Sequence, residues 1–462
     1  MLPQEAPHYM SHMLVIVYQL PTLGGGEPGP LAEFTQEAMR RGPELVDADD
    51  LQSIVDGIAA KADTALKVAE RASHASWKKW AAQAIAGGAG QAHQFAQERP
   101  VLETVTYVPD AQPHVLADRE LQKWRSIWDT HQLEPLDVPK DARHWPSLPP
   151  LTGEQLRQVI RTFPVRTATG HTKMPPRALD CLSQGALDAL AALLMEAERL
   201  LGWPAETLLC VLVRLPKPDG GSRLIGIQNT IVRVWGRARK QVSDDWLRQH
   251  RDTMTHAWGT SAGRSSVDSA FDHNLVAEIA RALGKGSITL CIDIWKCFEV
   301  VDPAILLFEG QRVGYPPRLL WMLIVTYKQP RCIRAFNNYS MAHCTAQGVI
   351  AGCTHATTML CVLTKRAMVR ANALANQVYP RQLVDDIGVQ KVCHTAADIE
   401  ALASVSKELM LDLQALRLPV QPKKMGFVAT SAALRRALRT LPWLQVAPQI
   451  WSFVGSPPGL SP

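Results

Sequence analysis

No apolar run in these 462 residues approaches the roughly 20 that a membrane-crossing helix needs. The N-terminal MLVIVYQL is too short, and its flanks are wrong for a signal peptide, so a soluble chain in the nucleus or cytoplasm is expected. CxxC pairs and Cys/His sets at zinc-ligand spacing are lacking. The nine cysteines stand singly, which argues against a structural zinc and reads as reduced, mostly buried thiols. Internal repeats are lacking too. A formal charge of only +6 is compatible with a polyanionic partner, yet far from the bias of a histone-like or basic-tailed protein. What remains is a composition suited to a sizeable globular core, and a length suited to two or three domains at roughly 150 residues each.

The main low-complexity stretch, LGGGEPGP, closes residues 1–30 and reads as a linker after an unstructured start. Residues 31–150 read as a basic helical N-terminal extension. Its first part, to about Gln97, is Ala-rich and amphipathic; its second, LADRELQKWRSIWDTHQ, repeats Trp at Trp124 and Trp128. Those Trp residues suit a packing face better than a nucleic-acid contact. A Pro-rich connector from Pro135 to Pro150 then marks a boundary.

Beyond Leu151 short elements alternate. LLCVLVRLPKP reads as a strand, IVRVWGRARKQVSDDWLRQH as one basic helix, and VDSAFDHNLVAEIARALGKG as a helix stopped by Gly284 and Gly286. SITLCIDI suits a strand buried on both faces. Asp302 with Pro303 and Pro316 with Pro317 open helices. RCIRAFNNYSMAHCT reads as a hairpin turning at Asn337 and Asn338, and THATTMLCVLTKRAMVRANALA as a long helix. A second hairpin carries Asp385 and Asp386 at its tip. Thr395 and Asp398 form a capping box for a helix reaching Leu416, and a strand follows around Pro419 to Val428. The sum is α+β, an antiparallel sheet backed by helices.

Asp293 in ITLCIDIWKCFEVVD and the pair Asp385 and Asp386 in RQLVDDIGVQ sit inside apolar, strand-like segments. A carboxylate there costs several kcal/mol to bury unless a partner or a cation compensates it. Two strands side by side can bring the three together to hold two divalent ions about 4 Å apart. Oxygen ligands without His or Cys favour Mg2+ or Mn2+.

The company of these residues carries a resemblance. LVRLPKPDGGSRLIGIQNTIVRVWGR, WGTSAGRSSVDSAF, CIDIWKCFE, QGVIAGCTHATT, LVDDIG and LRLPVQPKKMGFV follow one another in that order. Together they resemble the fingers and palm of a reverse transcriptase, nearest in style to non-LTR (LINE-type) retrotransposons and group II intron proteins, over roughly Thr169 to Gly455. RTATGHTKMPPRAL resembles a segment of the same polymerases upstream of the fingers.

The resemblance implies a right-hand polymerase with fingers at 151–290 and palm at 291–462, ending in a primer-grip-like turn at Ser452 to Gly455. It implies metal binding by Asp293, Asp385 and the main-chain carbonyl of Ile294, with Asp386 completing the acidic cluster. Phe298 takes the place of the steric gate against a 2′ hydroxyl. Lys217 and Arg223 take that of the fingertip contacts to the incoming triphosphate. Gly348 and Gly352 line the nucleotide pocket, Arg264 touches template, and Lys424, with Lys423 as rival, aids proton transfer to the leaving group. RNA template, DNA primer and dNTPs are the implied partners.

Departures are Leu383 before the paired aspartates, Leu224 after the fingertip Arg, and Ile350, Ala351, Gly352 in place of the family's RQG, which leaves its Gln missing unless Gln347 substitutes. Ala356 and Thr357 stand for its SP. A thumb is expected to be missing, and no endonuclease is expected upstream. The alternative expectation is a catalytically inactive, polymerase-derived RNA-binding protein or a truncated retroelement relic.

Overall fold

The computed structural model describes residues 113–130, 137–216, 222–259, 264–335, 338–421, 424–439 and 452–453, together with 60, 64, 67, 68, 71, 72 and 74–83. The linker expected at 1–30 and most of the stretch read as helical from Leu31 to Gln97 lie outside them; 74–83 is helical. Two compact units divide the chain, Met1–Glu103 with Ala178–Leu187, and Thr104–Arg177 with Asp188–Pro462. The second holds every described strand and every described site residue.

Its elements run α1 (Pro113–Trp128), α2 (Gly153–Arg161), α3 (Gln184–Leu200, which begins in the first unit), β1 (Cys210–Pro216), β2 (Ser222–Ile227), α4 (Thr230–Ala238), α5 (Lys240–Gln249) and β3 (Ala257–Trp258). Then come α6 (Ser266–Ala282), β4 (Gly286–Asp293), α7 (Cys297–Val300), α8 (Pro303–Arg312), α9 (Pro317–Tyr327), β5 (Arg331–Ala335) and β6 (Asn338–Tyr339). The chain continues with α10 (Ala356–Ala373), β7 (Val378–Leu383), β8 (Asp386–Cys393), α11 (Ala396–Ala415), β9 (Gly426–Ala429), α12 (Ala432–Arg439) and β10 (Ser452–Phe453).

The architecture is α+β, as expected, but the sheets are mixed rather than antiparallel. A four-stranded sheet has the order β2-β1-β5-β6, with β1 and β5 parallel. A six-stranded sheet has the order β10-β9-β4-β8-β7-β3; its inner pairs are antiparallel and its two edge strands, β10 and β3, join in parallel. β4 starts at Gly286 and so spans the 290/291 boundary.

Two helices divide the faces of the six-stranded sheet. Arg381 of β7 reaches Asp272 of α6 at 2.6 Å, while its neighbour Gln382, pointing the other way, accepts from Thr364 Oγ1 of α10 at 2.6 Å. Ile288, Leu290 and Ile292 of β4 are at most 2% exposed, as a fully covered face requires. The opposite face is covered only in its first half: Ser287 and Thr289 are buried, Cys291 is exposed and Asp293 half-buried. The expectation of a strand buried on both faces therefore fails at its C-terminal end, where the polar chemistry lies.

Three local expectations shift. The single basic helix is two, α4 and α5, meeting at Arg239, whose side chain turns inward onto Glu198. Asn338 belongs to the returning strand, opposite Ala335, so it is not a turn residue. Trp124 and Trp128 are buried and stacked with ring centroids 6.0 Å apart, which bears out the packing reading. The capping box at Thr395 forms in full, with Asp398 accepting from the Thr395 and His394 amides. Thr395→Ala should cost about 1 kcal/mol in a urea titration.

Candidate active site

Asp293 ends β4 and Asp386 begins β8, and the register sets them directly opposite one another. Asp385 lies in the two-residue turn that joins β7 to β8, after Val384 at φ +59. A β-branched residue in the left-handed region is strained, and strain of this kind persists only where its surroundings impose it. The turn thus places a third carboxylate beside a cross-strand pair.

Beyond Asp293 the chain is held by two bonds to the other edge: the Trp295 amide donates to Pro419 and the Gln421 amide to Asp293, each at 2.8 Å. Alternation along a strand then turns the Ile294 carbonyl away from that edge, to the side of the Asp385 turn. Lys424 Nζ lies 3.4 Å from Asp293 Oδ2. Partial burial, then the charges of Asp385 and Asp293, push Asp386 above the usual carboxylate range, with Lys424 pulling it back. Burial, then the charges of Asp385, Glu299, Asp293 and Asp386, hold the Cys297 thiol well above its ordinary value.

These groups open into a cleft of about 690 Å3 whose walls include Arg223, Phe298, Leu383, Asp385, Asp386 and Lys424. A second recess of about 420 Å3 shares Asp293, Asp386 and Lys424 and extends under α6 to His273 and Arg381.

The gate candidate Phe298 is half-buried in α7, and its carbonyl accepts from the Val349 amide at 2.7 Å. Gly348 donates to the Val301 carbonyl at 2.8 Å with φ +106, and a Cβ there would meet the Glu299 carbonyl at 3.0 Å. Gly352, at φ +105, abuts the Gly226 carbonyl, where a Cβ would come to 2.9 Å. Neither glycine lines the cleft itself; Ala351 does. Both are required by close backbone approach around it.

Arg264 departs from expectation. Its guanidinium donates to the Met254 carbonyl at 2.5 Å and stands 5.7 Å from the Trp258 ring, closing its own loop instead of lining the cleft. Gln347 does not replace the missing pocket Gln: it is buried, and its side-chain amide donates to the Ile127 carbonyl at 2.7 Å. Lys217, Lys423 and Gly455 lie outside the described residues. Lys296 was missed. It lines the cleft at φ +48 with its ammonium 4.1 Å from the Trp124 ring, and its place inside CIDIWKCFE was the available signal.

Among the described residues no three His, Cys, Asp or Glu side chains gather closely enough to cage an ion unaided. The donor set still fits a hard divalent cation of the Mg2+ type, which is commonly held by one or two carboxylates, with water and substrate phosphates completing the shell. Burial first, and then the charges of Asp385 and Asp293, raise Asp386, and a cation bound here would relieve the second of these.

No family model and no curated protein matches the sequence. Among solved structures, apo telomerase from Candida tropicalis truncated from the C-terminal domain is similar at 12% identity and a TM-score of 0.38, over 54% of this chain and 56% of that one. Telomerase from Candida albicans with a TWJ fragment of telomeric RNA matches at 12% and 0.38, over 50% and 43%. The Candida tropicalis enzyme with the same kind of fragment matches at 11% and 0.39, over 49% and 41%. The chain thus spans about half the length of the structures it matches. No described helix is long and apolar enough to cross a membrane.

Proposed function

We propose that this chain is an RNA-directed DNA polymerase of retroelement type, with fingers and palm built around the cleft at Asp293. The observation that carries the reading is the cross-strand pair Asp293 and Asp386, with Asp385 in the turn between β7 and β8, facing one cleft with Arg223, Phe298 and Lys424. Two Mg2+ or Mn2+ ions held by Asp293, Asp385 and the Ile294 carbonyl would activate a primer 3′ hydroxyl and neutralise the leaving pyrophosphate. Asp386 adds negative charge beside them. Arg223 binds the triphosphate of an incoming dNTP, and Phe298 fills the space that a ribose 2′ hydroxyl needs. Lys424, an ammonium 3.4 Å from Asp293, stands ready to give its proton to the leaving oxygen. RNA template and DNA primer occupy the cleft and the recess beside it.

The test is primer extension on poly(rA)/oligo(dT) with Mg2+ and with Mn2+. Metal-dependent dTTP incorporation is expected. Retained RNA binding without incorporation would move the reading to a polymerase-derived binding protein.

Metal affinity should also depend on pH. Burial, then the charges of Asp385 and Asp293, raise the pKa of Asp386, and a cation beside it favours the ionised form, so binding is linked to loss of that proton. Calorimetric Mg2+ affinity should therefore rise with pH through the raised pKa and then level off, and Asp386→Asn should flatten the profile.

A further inference from the structure

We infer that Arg233 and Arg237 of α4 form a phosphate-binding site outside the cleft, at the centre of a basic face that docks a nucleic-acid strand. Both guanidinium groups stand over one aromatic ring: the buried Phe163 has Arg237 at 3.7 Å and Arg233 at 5.6 Å from its centroid. Residues four apart on a helix are neighbours, so the two positive charges repel each other. Neither charge is answered within the chain. Arg233 donates to the Ala168 carbonyl at 2.5 Å and Arg237 to Thr162 Oγ1 at 3.0 Å, and among the described residues neither meets a carboxylate. Burial lowers the pKa of both, and the charge of Arg237 adds to the effect on Arg233. The C-terminal end of α2, beside Thr162, supplies about half a negative charge, too little for two cations.

The surroundings of the pair select the occupant. From Gln155 to Ala178 the sequence carries Arg157, Arg161, Arg166, Lys173 and Arg177 without one Asp or Glu, and α4 carries no acid either. The fold gathers the two segments, since α2 packs against α4 and Arg177 donates to the Arg161 carbonyl at 2.6 Å. Arg166 and Lys173 are exposed. Positive charge repeated in this way matches a ligand whose negative charge also repeats, whereas a single small anion would need only the pair. A guanidinium carries five N–H donors in a planar fork that fits phosphate oxygens, and Arg233 and Arg237 each spend one inside the chain. Neither lines the cleft, so this surface is separate from Asp293 and its neighbours.

Fluorescence anisotropy of a labelled single-stranded oligonucleotide, as RNA and as DNA, with the full chain and no divalent ion tests this apart from polymerase activity. Arg233→Gln with Arg237→Gln should weaken binding roughly tenfold and lower the slope of log affinity against log salt by about 1.4, two phosphate contacts at about 0.7 each. Arg233→Lys with Arg237→Lys keeps the charge and should restore most of that slope. Arg166→Gln with Lys173→Gln changes only exposed side chains, leaves folding alone, and should lower the slope as well. Acetylation of Lys173, read by mass spectrometry, reports the face directly, and a bound strand should slow it several-fold. The tighter of the RNA and DNA strands names the source. An unchanged slope in both double Gln variants overturns the proposal, as does Lys173 acetylated at its free rate under a saturating strand. Inorganic phosphate that protects Lys173 as well as the strand does, at equal phosphate concentration, overturns it in favour of a small-anion site.

Discussion

Asp385→Asn should lower primer extension by roughly 10^3-fold or more while RNA binding stays within about twofold of wild type. The change keeps the shape of the side chain and the turn but removes one of the few charges available to a cation. Loss of the charge stabilisation supplied by a metal is worth several kcal/mol, and about 1.4 kcal/mol is tenfold in rate. Single-turnover extension beside a filter-binding isotherm separates the two quantities. Equal loss of binding and extension would mean that Asp385 shapes the cleft rather than the chemistry. An unchanged rate would end the polymerase reading at this site.

Glu198→Ala should cost about 3–5 kcal/mol of stability, a large share of the 5–15 kcal/mol that holds a typical domain. The Glu198 carboxylate accepts from Arg239 Nε and Nη2, each at 2.6 Å, and from Trp235 Nε1 at 2.7 Å. Both charged side chains are nearly sealed from water, 5% and 2% exposed. Truncation leaves the guanidinium with the Pro149 carbonyl but no counter-charge. Glu198→Gln should fall between, since its amide oxygen still accepts from Trp235 or Arg239. Urea unfolding gives both values, and a cost below 1 kcal/mol for the Ala variant would show that water reaches the pair.

The carboxylates were legible because an Asp in an apolar strand has few explanations, but the expected tip at Asp385 and Asp386 is shifted by one residue: Val384 and Asp385 make the turn and Asp386 opens β8, opposite Leu383. The partner of Asp293 across the sheet was not legible: the hairpin sets the register of β7 on β8 alone, and the pairing of β4 with β8 joins segments far apart in the chain. Arg264 was not legible. An Arg in a Gly- and Ser-rich loop looks the same in sequence whether it faces phosphate or its own loop carbonyls, and only the fold of 251–258 decides. Gln347 misled likewise, since the carbonyl that claims it belongs to α1, far away in the chain. The parallel pairing of β1 with β5 and the break at Arg239 depend on contacts equally remote, to which local periodicity is blind.

The short bonds that join α7 to the loop after β6 have a consequence for accuracy. Because Val349 donates to the Phe298 carbonyl and Gly348 to the Val301 carbonyl, the backbone that carries Phe298 is tied directly to the loop around Gly348. In a polymerase built this way, sugar selection and base-pair geometry are not independently tunable. A side chain added at Gly348 would push on the Glu299 carbonyl and so on the segment that carries Phe298; if the proposed reading holds, ribonucleotide errors and mispairing errors would rise together in such a variant.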